Sequence, residues 1–395
     1  YSSQTLVACM KHLLNHKGWL PGAAAALLLF YTLAVACMLY TNTPRYAFSA
    51  DPEYCYLFAM LSTARLDPVY YTDHPGATLH VVGALMLRAA HLFGAHTDLL
   101  TDVLGQPEFY LCAVNLGLVA LHLLALAGAA WLAWRITRNA LAALCVLLTP
   151  LFSLYHFTWC MSQVRAETML YTAALILGTV MIGMRSTWRA AHPAWLALAA
   201  ALSVGFGIAT KLGFAPLALC PLIALPRWRW RLLYCASLPV ASLVFFGPAL
   251  LHFSVHKNVM PWIMRSGTYG WGGRFWSAHQ AHTVLREMLR VEPLVFVVLG
   301  LGAFTAGAVV VMMLVRRASP RPGAAVLAGL LAGILMQLLL AVRGGMANYM
   351  VPSLGLAGVT LACVIDLLWR PGSSRAWIRR GAAVVCVAAL ALLAC

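Results

Sequence analysis

Long runs of apolar residues dominate the chain, and short polar segments separate them. An α-helix needs about 20 apolar residues to cross the ~30 Å hydrocarbon core of a bilayer, because its backbone polar groups must be satisfied internally. The runs predict eleven spans, at residues 19–40, 109–134, 140–157, 168–184, 193–209, 212–226, 232–251, 293–315, 323–342, 349–368 and 381–395. The predicted fold class is therefore all-α, a polytopic transmembrane helical bundle that forms one membrane-embedded domain over residues 1–395.

Two segments between the spans are long, residues 41–108 and 252–292. The first contains two apolar stretches, 52–64 and 75–94, of which the first is too short to span. The second stretch is interrupted by three polar residues, His80, Arg88 and His91. Both stretches therefore predict juxtamembrane helices that lie along the membrane surface in the first outer loop.

The composition agrees with a membrane protein, since 62% of residues are hydrophobic and only 10% are charged. The net charge of +16 does not indicate nucleic-acid binding, because the Lys and Arg occur in short clusters between apolar runs. Such clusters are typical of cytoplasmic loops, and we expect no nucleic-acid partner.

Charge also predicts the orientation. With the N-terminus inside, sixteen of the 27 Lys and Arg fall in short inner segments, and of the acidic residues only Asp366 does. The sixteen are Lys11, Lys17, Arg135, Arg138, Arg185, Arg189, Arg227, Arg229, Arg231, Arg316, Arg317, Arg321, Arg370, Arg375, Arg379 and Arg380. The long loops are then outside, and a multi-pass protein of the bacterial plasma (inner) membrane is favoured, although the topology also suits the endoplasmic reticulum.

An acidic motif follows the first predicted span, with Asp51 and Glu53 on either side of Pro52. Two carboxylates at a water–lipid boundary could supply a general base or ligands for a divalent cation. The same pattern is also a common helix start, with Asp before Pro and Glu in the first turn.

Charged residues recur at tight outer turns. Arg165 and Glu167 lie between the third and fourth spans, where they could form a structural ion pair or border a site. Lys211 lies between two apolar runs with almost no loop to solvate it, so it should bind an anion or be paired.

Two later segments add candidate binding residues. Arg343 precedes two glycines, which would let backbone N–H groups approach an anion; it could instead extend to lipid head groups. The segment 266–276 contains Tyr269 and Arg274 among glycines and tryptophans. Aromatic faces suit sugar rings, but an interfacial aromatic belt has the same composition.

No P-loop, GxGxxG before a strand, HExxH or GxSxG motif is present, so a soluble nucleotide-sugar domain is not expected. The outer-face acids, Lys211 and Arg343 together indicate one reaction chamber at the membrane surface.

These features resemble those of the C-type (GT-C) glycosyltransferases, which include protein mannosyltransferases and aminoarabinose transferases. The matching elements are the acidic motif from Ser49 to Glu53, the His74-Pro75 element with a helix ending at Phe93-Gly94, the turn with Arg165 and Glu167, the pair Thr210-Lys211, and Tyr349-x-x-Pro352. Members of this family carry two juxtamembrane helices in the first outer loop. The chain departs from many relatives at Gly76, where they have a second proline, and at Asn348, where they have arginine.

The resemblance implies an enzyme that uses a polyprenyl-phosphate-linked sugar, so the expected fold is GT-C-like. It makes Asp51 the catalytic base, with Glu53 assisting it and Glu167 shaping the site. Lys211 and Arg343 would hold the lipid phosphate, and because of Asn348 that role could fall to Arg343 or Arg274. The resemblance also implies His74, Arg165 and Tyr349 at the substrate site. Tyr269 is predicted there from its aromatic segment instead.

The predicted function is therefore glycosyl transfer to an acceptor hydroxyl at the outer membrane face, with inversion. Membrane lipid surrounds the protein, and the acceptor could be a lipid, a glycan or a protein. No cofactor is required, although the acidic pair allows a divalent cation, Mg²⁺ or Mn²⁺. Two other functions fit the sequence, a transporter or flippase for lipids or small solutes and a non-catalytic membrane scaffold subunit.

Overall fold

The structure is a computed structural model that describes residues 25–35, 53–69, 76–94, 98–185, 192–250, 278–316 and 322–368. Within these ranges the chain is helical and contains no β-strand, so the all-α prediction is confirmed. The α-helices are α1 (Ala25–Val35), α2 (Glu53–Arg65), α3 (Ala77–Gly94), α4 (Leu99–Gly105), α5 (Pro107–Thr137), α6 (Ala140–Leu148), α7 (Ala166–Gly183), α8 (Pro193–Thr210), α9 (Leu219–Ala224), α10 (Trp228–Leu250), α11 (Ala278–Val291), α12 (Leu294–Arg316), α13 (Pro322–Gly344) and α14 (Val351–Leu368). Short 3₁₀ turns occupy Thr149–Phe152, Leu212–Ala218 and Ala347–Met350, and a π-helical turn occupies His156–Met161.

Seven helices in the described part are long and apolar enough to cross a membrane, namely α5, α7, α8, α10, α12, α13 and α14. They coincide with seven of the predicted spans, and the chain is an integral, multi-pass membrane protein. Three other predicted spans contain only shorter apolar helices, Ala25–Val35, Ala140–Phe152 and Leu212–Ala224. The span at 381–395 lies outside the described residues, and the predicted number of eleven is not confirmed.

Prolines explain why two of those predicted spans are shorter helices. Helix α6 ends at Leu148 and continues as a 3₁₀ turn that contains Pro150. The segment after Lys211 is a 3₁₀ turn through Pro216 before α9 begins. Proline lacks a backbone N–H and its ring clashes with the preceding turn, so a regular α-helix does not run through these positions.

Helices α7 and α14 form the centre of the bundle. Their apolar windows are 83% and 89% buried, whereas that of α10 is only 11% buried and faces outward. Glycines let the two central helices approach closely: a Cβ added at Gly355 would lie 2.7 Å from the Cβ of Ala174, and one added at Gly178 would lie 2.7 Å from Val359 Cγ2. Close packing of small residues is a principal source of helix association in lipid.

One end of the bundle carries the clustered arginines, and we call it the arginine end. Here Arg138 ends α5 in the left-handed conformation, and Asn139 caps α6 by accepting from the Leu141 N–H. Arg185, just after α7, forms an ion pair with Asp366 near the end of α14. The single acid predicted among the inner arginines is thus paired with one of them.

The opposite end carries Lys211, and we call it the lysine end. The first part of α5 meets the π-helical turn that precedes α7 here, because Asn115 donates to the Met161 carbonyl at 3.1 Å. The end of α8 meets them, because Lys211 pairs with Glu167 in the first turn of α7.

Helix α3 lies across the lysine end. Its start contacts the end of α8, since the Gly76 N–H donates to the Thr210 carbonyl at 3.0 Å. Near its other end, His91 Nδ1 lies 3.4 Å from the hydroxyl of Tyr110, in the first turn of α5. Both contacts are at the same end of the bundle, as expected for a juxtamembrane helix rather than a span.

The long loops contain more helix than the sequence analysis predicted. The helices expected at 52–64 and 75–94 are present as α2 and α3, and α4 follows them, capped by Asp98. The second loop contains α11, which the sequence analysis missed. Its apolar residues recur at helical spacing and bury Val284 and Met288, so the pattern for an amphipathic helix was present in the sequence.

Candidate functional site

Lys211 lies where α8 ends and the chain turns into the 3₁₀ segment Leu212–Ala218. Its backbone is extended, with φ −159° and ψ 131°, and its N–H still donates to the Gly207 carbonyl. This turn directs the side chain into the protein, where the residue is only 4% exposed. A buried ammonium group requires a partner of opposite charge.

That partner is Glu167, whose Oε1 lies 2.8 Å from Lys211 Nζ. The side chains are 5% exposed for Lys211 and 3% for Glu167. Glu167 is in the first turn of α7, where the helix dipole also favours a carboxylate. The sequence analysis considered Arg165 as the partner of Glu167; the structure instead brings Glu167 to Lys211.

Tyr349 covers the other side of the lysine. Lys211 Nζ lies 5.9 Å from the centroid of the Tyr349 ring, within the range of a cation–π contact. The pair and the ring border a narrow crevice with essentially no free volume for a water molecule. Its lining consists of Glu167, Leu170, Lys211, Gly213, Asn348, Tyr349 and Pro352.

Arg165 occupies the position just before α7 and is 6% exposed. The neighbouring Val164 N–H donates to Glu53 Oε1 at 2.6 Å, so the start of α2 is fastened to the turn that carries Arg165 and Glu167. Glu53 itself is 2% exposed. The structure therefore gives Glu53 a positioning contact, and it brings this residue to the lysine end.

The backbone at position 76 explains why this chain has glycine where many C-type glycosyltransferases have a second proline. The φ of Gly76 is +56°, a conformation that proline cannot adopt, and its N–H is the donor to Thr210 that proline would lack. The hydroxyls of Thr78 and Thr210 are also hydrogen bonded, 2.5 Å apart. The start of α3 is thus fastened to the residue before Lys211.

Arg343 lies in the last turn of α13 and is not part of the crevice lining. Its carbonyl accepts a hydrogen bond from Gln280 Nε2 of α11 at 3.2 Å. Gly345 follows with φ +71° and turns the chain toward the segment Ala347–Met350. Arg343 is therefore at the lysine end, beside the segment that carries Tyr349.

Four of the predicted site residues lie outside the described residues. They are Asp51, His74, Tyr269 and Arg274. Their roles remain predictions.

The sequence analysis missed Gln337, which lies in the apolar helix α13 and is fully buried. Its Nε2 donates to the carbonyls of Gly213 at 2.7 Å and Tyr349 at 2.6 Å. A lone amide within an apolar span was the available signal, because a buried polar group must find partners.

The sequence analysis also gave no role to Glu292, at the end of the second long loop. It is fully buried, and its Oε1 accepts from the Tyr155 N–H at 2.7 Å and from Ser153 Oγ at 3.0 Å. Burial raises the pKa of this carboxyl to about 7, although hydrogen bonds from Tyr155, Ser153 and Leu154 act in the opposite direction. Glu292 thus connects the junction of α11 and α12 to the segment after α6.

A pair of histidines lies deeper in the bundle, also unforeseen. His122 and His156 are buried, with ring centroids 4.9 Å apart, and both rings contact Tyr171. Tyr171 is one helical turn from Glu167 in α7, so this polar cluster continues inward from the site.

Within the part of the chain that the structure describes, no group of three His, Cys, Asp or Glu residues could hold a metal ion. Glu53, one of the two acids that could ligate a divalent cation, accepts a hydrogen bond from the Val164 N–H. The described residues therefore do not form a metal centre.

Comparison with protein-family models and with curated proteins gives no match. Among solved structures, the chain is similar to the oligosaccharyltransferase of Archaeoglobus fulgidus, in a complex with Zn and sulfate (14% identity, TM-score 0.45, covering 92% of this chain and 51% of that chain). It is also similar to that enzyme tethered by a disulfide to an acceptor peptide containing the NVT sequon (13% identity, TM-score 0.48, covering 95% and 54%). The oligosaccharyltransferase is itself a C-type glycosyltransferase. The chain spans about half of its length, and at these identities and TM-scores function has to be inferred from the residues of the site.

Proposed function

We propose that this chain is a glycosyltransferase that moves a sugar from a polyprenyl-phosphate-linked donor to an acceptor hydroxyl at the lysine end of the bundle. The observation that carries the proposal is the position of Lys211, a buried cation that lies between Glu167 and the Tyr349 ring. Glu53 is fastened at the same end of the bundle.

On the donor side, the leaving group is a lipid phosphate that departs as an anion. Its developing charge needs cations that are already in place. Lys211 supplies one at the crevice, and Arg343 supplies a second from the end of α13. Because Glu167 now holds Lys211, the phosphate has to compete with that carboxylate for the ammonium group.

On the acceptor side, Asp51 is the base. It lies two positions before Glu53 in the sequence. The contact of Glu53 with Val164, in the turn that carries Glu167, supports this assignment. The acceptor O–H proton passes to the Asp51 carboxylate while the acceptor oxygen bonds to the anomeric carbon. The bond from that carbon to the phosphate oxygen breaks with its electron pair, and in-line displacement inverts the anomeric centre.

The remaining predicted residues contact the substrates. Tyr349 borders the crevice beside Lys211, and Tyr269 would offer an aromatic face to the apolar side of a sugar ring from the second long loop. His74 precedes the turn at Gly76 that is fastened to Thr210, and Arg274 is a further cation for the phosphate. The acceptor is a lipid, a glycan or a protein.

A divalent cation, Mg²⁺ or Mn²⁺, is given no step in this mechanism. Lys211 and Arg343 supply positive charge at the phosphate, and Asp51 accepts the proton.

The arginine end is proposed to face the cytoplasm, because short loops rich in Lys and Arg are retained there. The lysine end then faces outward from the plasma membrane of a bacterium.

Binding of polyprenyl phosphate to the purified full chain tests the proposal. Lys211→Met keeps the apolar part of the side chain and removes the cation, and Arg343→Ala removes the second one. Each should weaken binding by about 10- to 150-fold, the equivalent of a charge-assisted contact of about 1.5–3 kcal/mol. Arg135→Ala, at the arginine end, is the matched control and should bind as the wild type does. Wild-type affinity in both lysine-end variants would overturn the proposal.

A further inference from the structure

We propose that Gln337 is a positioning residue of this site: its side-chain amide locks the turn after Lys211 to the turn that carries Tyr349. The inference rests on the proposed function, because its consequence is the placement of the phosphate-binding lysine.

Gln337 is placed for this role by α13. It lies within a long apolar helix and is fully buried. An amide taken out of water without hydrogen bonds is strongly destabilising, so glutamine at this position requires nearby acceptors. Both contacts of its Nε2 are short, 2.7 Å to the Gly213 carbonyl and 2.6 Å to the Tyr349 carbonyl.

The two acceptors have the same local cause. In a 3₁₀ turn a carbonyl accepts from the N–H three residues later. Three residues after Gly213 is Pro216, and three residues after Tyr349 is Pro352, and neither has an N–H. Neither carbonyl can accept the regular 3₁₀ bond from the residue three positions later, and the Gln337 amide donates to both carbonyls.

These two turns carry the two groups that face each other across the crevice. Gly213 is two positions after Lys211, and the second acceptor belongs to Tyr349 itself, whose ring centroid is 5.9 Å from Lys211 Nζ. The contacts of Gln337 join residues 124 and 12 positions away in the sequence. Without the bridge, the two turns lose this hydrogen-bonded link, and the lysine is less well placed for a phosphate.

The test compares Gln337→Met with Tyr234→Phe in the full chain. Methionine keeps the length of the side chain and removes both donors. Tyr234→Phe is the matched control, because its hydroxyl also donates to a carbonyl of the same 3₁₀ segment, that of Ala218 at 3.0 Å, but at the end away from Lys211. The probe is polyprenyl phosphate in detergent, and the measurements are the Kd and the melting temperature.

We expect Gln337→Met to raise the Kd about tenfold, the effect of one to two neutral hydrogen bonds, and Tyr234→Phe to leave it unchanged. Since Gln337 acts through Lys211, adding Gln337→Met to Lys211→Met should weaken binding no further. A structural role alone would lower the melting temperature of both variants and change neither Kd. If Gln337→Met does not fold, Gln337→Asn, which keeps the amide and shortens its reach, takes its place.

The outcomes separate this inference from the proposed function. If Lys211→Met weakens binding and Gln337→Met does not, the positioning role is overturned and the transferase proposal stands. Additive losses in the double variant would also overturn it. If Lys211→Met itself binds as the wild type does, the phosphate site at Lys211 fails, and the role of Gln337 fails with it.

Discussion

Lys211 and Glu167 lie 44 positions apart in the sequence, and their charged groups are 2.8 Å apart in the structure. Both are buried at the lysine end. Removing one partner of a buried ion pair typically costs 3–5 kcal/mol, because the other charge is left without compensation. This pair therefore fixes the end of α8 against the start of α7, and it also holds the cation that a phosphate would need.

Replacing Glu167 by glutamine tests the competition between carboxylate and phosphate. Glu167→Gln should lower the melting temperature and tighten binding of polyprenyl phosphate, because the Lys211 ammonium group is no longer neutralised. Calorimetric unfolding and a binding titration on the same preparation measure both effects. The control is Asp67→Asn, which removes a charge from an exposed pair with Arg65. Weaker binding in Glu167→Gln would contradict a competitive role.

Asp51→Asn tests the proposed base. Asparagine keeps the size of the side chain but cannot usefully accept a proton at neutral pH. Turnover should fall about 10²–10⁴-fold, while donor binding and the melting temperature are largely kept. A helix cap predicts the reverse, with lower stability and near-normal turnover per folded molecule. Full activity in Asp51→Asn would remove the assignment.

Gly76→Ala tests the turn that fastens α3 to Thr210. Alanine at φ +56° is strained by about 1–2 kcal/mol, so the melting temperature should fall, and phosphate binding should weaken if the turn helps to place Lys211. Gly128→Ala is the control, since it is inside α5 with open space around it and should be neutral or slightly stabilising. Equal melting temperatures for the two variants would show that the left-handed turn is not maintained in solution.

Glu292 should make stability depend on pH. Its pKa is raised from 4.5 to about 7 in the folded protein, so the folded state binds a proton more tightly than the unfolded chain. Its stabilising contribution is therefore complete below about pH 4.5 and is lost as the pH rises to about 7, by roughly 3 kcal/mol.

Glu292→Gln stays neutral while its side-chain oxygen still accepts the bonds from Ser153 and Tyr155. The variant should therefore be more stable than the wild type at pH 8 and similar to it at pH 4.5. Melting temperatures at the two pH values measure the difference, with Glu287→Gln, exposed on α11, as the control. If the melting temperatures of the wild type and Glu292→Gln depended on pH in the same way, ionisation of Glu292 would not lower the stability of the folded protein, and the prediction would be wrong.

Sequence patterns located the spans well because hydropathy is a local property. Seven predicted spans are apolar helices of spanning length, and α2 and α3 lie where the apolar stretches of the first loop predicted them. The pattern failed where proline changes the helix type, as at Pro150 and Pro216. It also overlooked α11, because its aromatic and glycine-rich surroundings were interpreted as loop.

The sequence alone singled out charged residues that are costly to place at a membrane as candidates for the site, namely Glu53, Arg165, Glu167, Lys211 and Arg343. A charge beside an apolar run is visible without a structure, because burying it is unfavourable unless it is paired or functional. The sequence also determined the separation of the arginine-rich turns from most of the acids.

Only the tertiary structure decided which of these groups meet. It paired Glu167 with Lys211, whereas the sequence suggested Arg165 as the partner. It also placed the Glu53 carboxylate where it accepts a hydrogen bond from the Val164 N–H. It also brought Gln337 to the carbonyls of Gly213 and Tyr349, which lie in turns distant from each other in the sequence. Helix packing sets these distances, and packing depends on the shapes of surfaces contributed by remote parts of the chain, whereas hydropathy and charge are properties of each segment by itself.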